Sequence, residues 1–380
     1  MEFSCLRRDL QNSISLVERI VATRSTLPII GNILVEASKS NLKISANNLE
    51  IGIELNVSAK VIKGGSILIG AKTLASLVSK LPEGEIGFKL SEKGALQITY
   101  NDSFFNVNTL PPDEFPVLPK VKDGRTISIN PEILVSMIKQ TQFSTSSSED
   151  KYVLTGALME AGKSGVGGDD SNFRIISTDG YRLAKRSEKI VMENEKAISA
   201  IIPARALQEV LRALDNVNSK EDVKITLAAD QISFKHDDFY LVSRLIQGQF
   251  PDYRQVIPKK TTSKVIVKTK QLMESAERAA VIAQGSANVV KFEFKGKTLQ
   301  LTASTPDVGN ISEKLEAESK GKETLQIAFN IRLVTDVLKV IEEDKVEIEF
   351  TDALGPGVIK PEGQVNYLYI VMPIRTQDAA

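Results

Sequence analysis

The chain has 380 residues and carries 48 Lys and Arg against 48 Asp and Glu, so its formal net charge is zero. This balance excludes a protein that holds nucleic acid mainly through overall positive charge. Its hydrophobic fraction of 42% is ordinary for a soluble protein, and no run of about 18 apolar residues predicts a membrane span. The single cysteine excludes an internal disulfide and, together with an N-terminus that lacks a signal-peptide core, predicts a cytoplasmic protein.

Six stretches space their apolar residues as an amphipathic helix does, with one stripe on one face. The predicted helices begin, in chain order, at Arg7, Lys72, Pro131, Arg205, Lys270 and Ile331. In residues 199–214, apolar residues stand 2, 5, 6 and 9 positions after Arg205, and the same offsets follow Lys72 and Arg332. These three basic residues lie 133 and 127 positions apart, so the chain is predicted to hold three copies of one domain with two helices each.

Between the helices, apolar and polar residues alternate and turn residues follow, as in residues 41–55 and 346–360. This alternation predicts antiparallel strands. The predicted fold class is therefore α+β, with two helices packed on curved antiparallel sheets in each of three similar domains. We place the domains at 1–122, 123–256 and 257–380.

Three segments between these elements are interpreted as connections. Residues 115–125 and 250–264 are rich in Pro and Lys, and each begins at or near a Phe-Pro pair and precedes the next repeat, so we interpret both as linkers. Residues 161–172 are rich in glycine and predict a flexible loop.

The sequence offers no catalytic, metal-binding or cofactor-binding site. One histidine and one cysteine can form neither a histidine-based triad nor a His/Cys metal cluster, and His236 lies in a predicted turn. Asp169 and Asp170 have no third metal ligand nearby in sequence. The Gly-Lys-Ser run that begins at Gly162 lacks the earlier glycine of a phosphate-binding loop, since Ala157 stands there. We therefore expect a non-catalytic protein without a cofactor.

Positive charge is concentrated on the predicted helices. The six helical windows carry 13 Lys and Arg against 7 Asp and Glu, although the whole chain is balanced. On one helix such an excess indicates an ordinary solvated face, but an excess summed over six related helices favours a common surface that faces a polyanion. The helices lack aromatic residues suited to stacking on bases, so sequence-specific readout is not predicted.

If the helices line the inside of a ring, their basic surface faces a central bore whose width can be estimated. Six helices spaced by about 10 Å leave a bore of only about 10 Å, whereas twelve helices from two chains leave about 30 Å, which admits duplex DNA. A head-to-tail contact between two copies that closes on itself forms such a ring.

Seven segments carry a resemblance to a known family: RSTLPIIGNILVEA (24–37), SKLPEGEI (79–86), TLPPDEFP (109–116), ISTDGYRLA (176–184), GQFPDYRQVIP (248–258), ERAAVIA (277–283) and YIVMPIR (369–375). Together they resemble the bacterial DNA polymerase III β subunits, the replicative sliding clamps. Each segment is a modest signal, but their combination in this order is specific and covers essentially the whole chain.

The resemblance implies a non-catalytic DNA sliding clamp. Such a clamp is a head-to-tail homodimeric ring that encircles duplex DNA and tethers the replicative DNA polymerase catalytic subunit and other DNA-processing clients. An ATP-driven clamp loader complex opens the ring. Clients insert a QLxLF-like peptide between the second and third domains. Retention by enclosure needs few phosphate contacts, which fits a net charge of zero.

The resemblance also implies three sets of site residues. The partner-peptide pocket would use Leu154, Thr178, Gly180, Arg182, Leu183, Pro251, Val256, Pro356, Ile370, Val371, Met372, Pro373, Ile374 and Arg375. DNA would contact Arg24, Lys72, Arg205, Asn330 and Arg332, with residues 148–152 nearby. The dimer contact would involve Phe105, Val281 and Ile282.

The chain departs from the family pattern at three places. Gln255 stands where the pocket often has a basic residue, and Glu149 and Asp150 make the expected DNA loop acidic. The tail continues past Arg375 by five residues.

Two other function classes stay open on the residues alone. The first is an enzyme that uses the acids of the DGYR and GGDD segments with Lys163. The second is a peptide-binding repeat scaffold that never encloses DNA. The scarcity of catalytic groups disfavours the enzyme, and a client pocket without a basic bore would indicate the scaffold.

Overall fold

The computed structural model describes residues 1–21, 27–122, 124–162, 171–191, 197–215, 219, 221–237, 239–321 and 324–375. The helices within these ranges are α1 (Arg7–Ile20), α2 (Ala71–Lys80), α3 (Pro131–Thr141), α4 (Ala204–Leu214), α5 (Thr269–Ala283) and α6 (Ile331–Leu338). None of these helices is long and apolar enough to cross a membrane.

The strands of the described residues follow in chain order. They are β1 (Glu2–Leu6), β2 (Asn32–Ser38), β3 (Asn41–Asn47), β4 (Ile51–Ser58), β5 (Lys60–Lys63), β6 (Gly65–Gly70), β7 (Glu85–Leu90), β8 (Ala95–Tyr100), β9 (Ser103–Asn108), β10 (Arg125–Ile129), β11 (Gly156–Ala161), β12 (Phe173–Thr178), β13 (Arg182–Glu188), β14 (Ile198–Pro203), β15 (Val223–Leu227), β16 (Gln231–His236), β17 (Phe239–Arg244), β18 (Ser263–Lys268), β19 (Val289–Lys295), β20 (Thr298–Thr305), β21 (Gly309–Glu316), β22 (Glu318–Lys320), β23 (Thr324–Asn330), β24 (Lys345–Phe350), β25 (Gly357–Pro361) and β26 (Tyr367–Val371).

All six predicted helices are confirmed, and each begins within one residue of its predicted start. The apolar stripe of α4 is buried, with Leu207 and Val210 both 0% exposed. Lys72, Arg205 and Arg332 each occupy the second position of their helix and are exposed. A strand ends immediately before each of these helices, so the repeated order of strand, basic residue and helix is confirmed.

One compact unit contains Met1–Val135 and Arg205–Leu245. It holds a five-stranded sheet with the order β5-β1-β7-β8-β9 and an eight-stranded sheet with the order β10-β15-β16-β17-β4-β3-β2-β6. Strand β17 pairs antiparallel with β4, so strands from the first and second thirds of the sequence share one sheet. Helices α1 and α2 pack against each other, and α1 lies on β3 and β4.

The other compact unit contains Ser136–Ile190 and the chain from Ile246 onward. Its nine-stranded sheet has the order β14-β11-β12-β13-β26-β25-β24-β18-β22, and its four-stranded sheet has the order β21-β20-β19-β23. Here β13 pairs antiparallel with β26, which joins strands from the second and third thirds of the sequence. Each unit therefore draws on two sequence thirds, and the three domain boundaries stay a prediction.

The interpretation of residues 115–125 as a linker is wrong for their first half. Phe115 and Leu118 are 6% and 3% exposed and belong to a buried cluster with Leu68 and Val242. Leu118 fits over Gly52 of β4, where an added Cβ would lie 2.8 Å from the leucine side chain. The segment has no regular structure because of its prolines, but apolar burial fixes its course.

Two other interpretations are also corrected. Residues 250–264 contain a short 3-10 helix, Tyr253–Val256, and the Tyr253 ring is only 6% exposed, so this segment is packed rather than a free linker. His236 does not lie in a turn, because it is the last residue of β16 and is 4% exposed. Its ring stacks on that of Phe239 at a centroid distance of 5.9 Å.

A buried charge cluster joins β18, β24 and β25. Glu347 of β24 is 2% exposed, and it pairs with Lys264 of β18 and with Lys360 of β25, whose Nζ lies 3.2 Å away. Lys360 also binds Glu349 at 2.9 Å. Burial alone raises the pKa of Glu347, but the hydrogen bonds it receives outweigh burial and lower the pKa to about 2.

We predict that Leu118→Ala lowers the free energy of unfolding by about 2 to 5 kcal/mol, because it leaves a cavity over β4. Chemical denaturation measures this change. The matched control is Val117→Ala, since Val117 is 89% exposed, and its effect should be below about 0.5 kcal/mol. Equal effects at both positions would restore the linker interpretation.

A second prediction concerns acid stability. Because folding lowers the pKa of Glu347 from 4.5 to about 2, its contribution is present above pH 4.5 and is lost as the pH falls toward 2. The shift corresponds to about 3 kcal/mol. Denaturation at several pH values should show that Glu347→Gln flattens the loss of stability in this window. Glu318→Gln, at an exposed carboxylate, serves as control and should keep the wild-type profile.

Candidate functional site

A tight turn between β12 and β13 forms one wall of the predicted pocket. The Thr178 hydroxyl donates to the Arg182 carbonyl at 2.6 Å and accepts from the Gly180 N–H at 3.1 Å. The Asp179 carboxylate accepts from the N–H groups of Tyr181 and Arg182 at 2.8 and 3.0 Å. Gly180 has a φ of +94°, which favours glycine. The Asp-Gly-Tyr-Arg sequence thus determines the turn locally.

The Arg182 side chain forms its hydrogen bonds with other residues of the protein. It is 11% exposed, and its Nε donates to Asp179 at 3.0 Å. One terminal nitrogen donates to Asp336 of α6 at 2.6 Å, and the other donates to the Phe143 carbonyl at 2.8 Å. Burial lowers the pKa of the guanidinium, but the oxygens of Tyr369 and Asp336 outweigh burial, so the net shift is upward.

The end of the chain forms the adjacent wall. In the β13–β26 ladder, Leu183 faces Ile370 and Arg182 faces Val371. The ladder is extended by the Met372 N–H, which donates to the Tyr181 carbonyl at 2.9 Å. Pro373 and Ile374, which follow β26, and Pro356, which precedes β25, are half-buried, whereas Met372 and Arg375 are exposed. The YIVMPIR segment is therefore both a closing strand and a wall of the candidate site.

An apolar floor lies beneath these walls. It consists of Leu158, Ile176, Leu183, Ile201, Ile246, Tyr253 and Ile370, with Val153, Phe250, Ile257 and Leu368 packed against it. Leu154, Pro251 and Val256 are each adjacent in sequence to a member of this set, and Val256 is 44% exposed. Val371 differs, because its side chain belongs to the core on the opposite face of β26. Because the seven floor residues are at most 6% exposed, an apolar peptide anchor would contact their half-buried neighbours and the exposed Val256 side chain.

Residues 252–256 make a rim in which charges are already paired. Arg254 lies 3.3 Å from Glu160 and 3.5 Å from Asp252. Gln255 donates to Asp252 at 3.2 Å, so the residue that departs from the family pattern stabilises the turn. The Tyr253 hydroxyl donates to Glu160 at 2.8 Å, and burial together with this carboxylate raises the tyrosine pKa.

The loop at 148–152 lies against the turn between β12 and β13. Lys151 Nζ donates to the Asp179 carbonyl at 2.9 Å and lies 4.9 Å from the centre of the Tyr181 ring. Glu149 and Asp150 are exposed. The Asp179 oxygens already bind the backbone and Arg182, so they are committed to the turn rather than to catalysis. The other acids proposed for an enzyme, at 169 and 170, and Lys163 lie outside the described residues.

Three of the basic residues predicted to contact DNA lie at the starts of helices α2, α4 and α6. Lys72 and Arg332 are exposed at the starts of α2 and α6, and Asn330 caps α6 by accepting from the Arg332 N–H at 3.0 Å. The guanidinium of Arg205 donates to the carbonyl of Arg19 at 2.9 Å. Arg24 lies outside the described residues.

The predicted dimer residues lie on one edge strand and one helix, each beside the edge of a sheet. β9 ends the five-stranded sheet and β21 ends the four-stranded sheet. Phe105 of β9 is half-buried, whereas its neighbour Phe104 is 62% exposed. On α5, Val281 is 66% exposed, while Ile282 packs partly into the core.

Comparison with known proteins places this architecture in one family. Three family models match in succession: the N-terminal domain of the DNA polymerase III beta subunit over residues 1–119, its central domain over 128–252 and its C-terminal domain over 254–375. The chain belongs to the DNA polymerase III beta subunit family. The resemblance seen in the sequence and the predicted three-domain α+β clamp fold are both confirmed.

Relatives of this beta subunit are beta sliding clamps. The Synechocystis sp. beta sliding clamp is 32% identical and the Bacillus subtilis one 28% identical, and 99% of this chain is covered in both comparisons, with 99% and 100% of the relatives. The Thermotoga maritima beta subunit has a TM-score of 0.89 at 31% identity, covering 99% of both chains. A Pseudomonas aeruginosa clamp bound to griselimycin has a TM-score of 0.90 at 26% identity, covering 99% and 100%.

Sequence reasoning missed several residues that support the sites of this beta subunit. Arg182 depends on Phe143 and Asp336, which are distant in sequence, so no local pattern could identify them. The other residues that were missed are Arg19 and Arg212, which lie close to Glu209, as Arg205 does. Burial raises the pKa of Glu209, although these arginines oppose the shift. The excess of Lys and Arg on the predicted helices was the sequence signal that could have identified Arg19 and Arg212.

We predict that Gly180→Ala lowers the free energy of unfolding by about 1 to 3 kcal/mol, because alanine is strained at this φ. The new Cβ would also lie 3.3 Å from Lys151 Nζ. Chemical denaturation provides the measurement. Gly31→Ala is the control, since a Cβ there meets no atom within 4 Å, and a change within about 1 kcal/mol is expected. An unchanged Gly180→Ala protein would show that the turn tolerates other conformations.

Proposed function

We propose that this clamp is a processivity factor in cytoplasmic DNA replication. Two copies join head to tail in a ring around duplex DNA and tether the replicative polymerase catalytic subunit to its template. The domains of each copy are 1–122, 123–256 and 257–380, and together the two copies supply twelve helices. A clamp loader complex opens the ring with ATP, and the clamp itself performs no chemistry.

The observation that carries the proposal is the site built from the 178–183 turn and the chain end. It offers an apolar floor, an exposed Met372 and a rim whose ions are already paired. A peptide of the QLxLF type has three large apolar side chains that such a floor accommodates, with few polar groups to desolvate. Clients therefore bind here through a short segment. A griselimycin-bound relative supports a ligand site on this fold.

Ring closure is proposed through the two sheet edges. An edge strand presents unpaired N–H and C=O groups that another strand can satisfy. Strand β9 of one copy pairs with β21 of the other, and an apolar contact of Phe105 with Val281 and Ile282 accompanies the ladder. The exposed aromatic ring of Phe104 supports an interface at this edge.

DNA is held by enclosure and by a few phosphate contacts. Arg24, Lys72, Arg205 and Arg332 contact phosphates, and Asn330 holds the start of α6 in place. Because these contacts are few, the affinity is weak and sensitive to salt, whereas a closed ring keeps the clamp on DNA.

Retention on circular DNA tests the proposal. A clamp loader and ATP place the clamp on nicked circular plasmid, which is washed at high salt and then cut once. We expect the protein to stay on the circle through the wash and to leave after linearisation, because only enclosure resists salt. The bound fraction is measured by gel filtration with labelled protein.

The controls separate failure of loading from failure of enclosure. A clamp known to load in the same reaction must be retained, and Val281→Asp should shorten retention because it places a charge in the apolar contact beside the proposed ladder. If this protein washes off the circle while the control clamp stays, enclosure is wrong and the peptide-binding scaffold becomes the better explanation.

A further inference from the structure

An acidic residue stands on the helix that we propose to face DNA. Asp336 lies four positions after Arg332 on α6, so both side chains lie on one side of the helix. A free carboxylate at that position would repel phosphates and oppose the proposed contact of Arg332. The presence of Asp336 on this helix therefore indicates a role other than DNA contact.

The contacts of Asp336 show this role. Its Oδ2 lies 2.6 Å from a terminal nitrogen of Arg182, and Oδ1 lies 3.9 Å from Lys339. The carboxylate is 34% exposed, whereas the Arg182 side chain is 11% exposed. The stronger contact thus reaches inward to a residue 154 positions away, at the wall of the peptide site.

Other contacts around Arg182 support its placement but cannot replace this carboxylate. The guanidinium lies 5.4 Å from the Phe143 ring, which stacks on Tyr369 at 5.8 Å. The Tyr369 hydroxyl donates to the Leu333 carbonyl of α6 at 2.7 Å. These contacts are neutral, whereas Asp179 and Asp336 are the carboxylates that pair with the Arg182 charge within the part of the chain that the structure describes. Without Asp336 the guanidinium keeps one charged partner, Asp179, and the Tyr369 oxygen as a neutral one, so its position is held less firmly.

We propose that Asp336 is a positioning residue for client binding: it holds the Arg182 guanidinium inside the protein, so that the 178–183 turn stays in shape and the pocket beside it stays open. The inference rests on the proposed function, because it takes this turn as a wall of the peptide site. Because the wall is already ordered, peptide binding does not have to supply the free energy of ordering it.

Peptide affinity of the full-length protein tests the inference. The probe is a fluorescein-labelled peptide that contains Gln-Leu-Ser-Leu-Phe, and binding is followed by fluorescence anisotropy. We expect Asp336→Asn to weaken binding about three- to tenfold, the effect of having to immobilise one long side chain. Asp336→Glu should restore binding to within about twofold, because it returns the charge.

A double-variant comparison separates positioning from general stability. If Asp336 acts through Arg182, then Asp336→Asn in an Arg182→Gln background should add less than about a twofold loss. Losses that multiply would overturn the inference, since Asp336 would then act by another route. The matched control is Glu188→Gln, which removes a carboxylate from half-buried Arg186 on the same strand, and it should bind as the wild type does.

The remaining outcomes are also decisive. Wild-type affinity in Asp336→Asn would overturn the inference and leave the proposed function standing, whereas a wild-type protein that does not bind the peptide would overturn the proposed function itself. If Asp336→Asn does not fold, Arg182→Lys replaces it, because a lysine cannot reach both carboxylates and the Phe143 carbonyl in the same fork. Unchanged binding by that variant would equally contradict the inference.

Discussion

Backbone pairing between strands that are distant in sequence is the constraint on which this structure depends. The β4–β17 ladder joins the first and second sequence thirds, and the β13–β26 ladder joins the second and third. Buried backbone groups must find partners, so each ladder continues a sheet that would otherwise end at an open edge. The second ladder also places the chain end beside the 178–183 turn, and the candidate peptide site exists only because of it.

The charges of this clamp matter through their placement, because their sum is zero. Acids on helices with a basic excess serve as partners of nearby arginines: Glu209 lies among arginines on α4, and Asp336 on α6 binds Arg182. Elsewhere, Glu347 is buried between two lysines of neighbouring strands. These acids pair with half-buried cations, whereas Lys72 and Arg332 are exposed at the helix starts.

Local signals predicted much of the fold and part of the site. Helical spacing located all six helices, since an amphipathic stripe needs only residues within a few turns. The resemblance named the pocket residues, and the structure brings Thr178, Leu183 and Ile370 together. Sequence reasoning was wrong about residues 115–125 and His236, because Pro, Lys and polar neighbours predict exposure, while burial of Phe115, Leu118 and the imidazole is decided by distant strands.

The sequence by itself determined the helix starts, the threefold repeat and the Asp-Gly-Tyr-Arg turn, because each depends on neighbours along the chain. Only the tertiary structure decided that Arg182 points inward to Asp336, that Val371 faces the opposite core from Ile370, and that Leu118 fits over Gly52. These facts depend on strand register and on residues up to 154 positions apart. A one-residue change of register would turn every side chain of a strand to the other face, and no local pattern specifies which register the distant partner imposes.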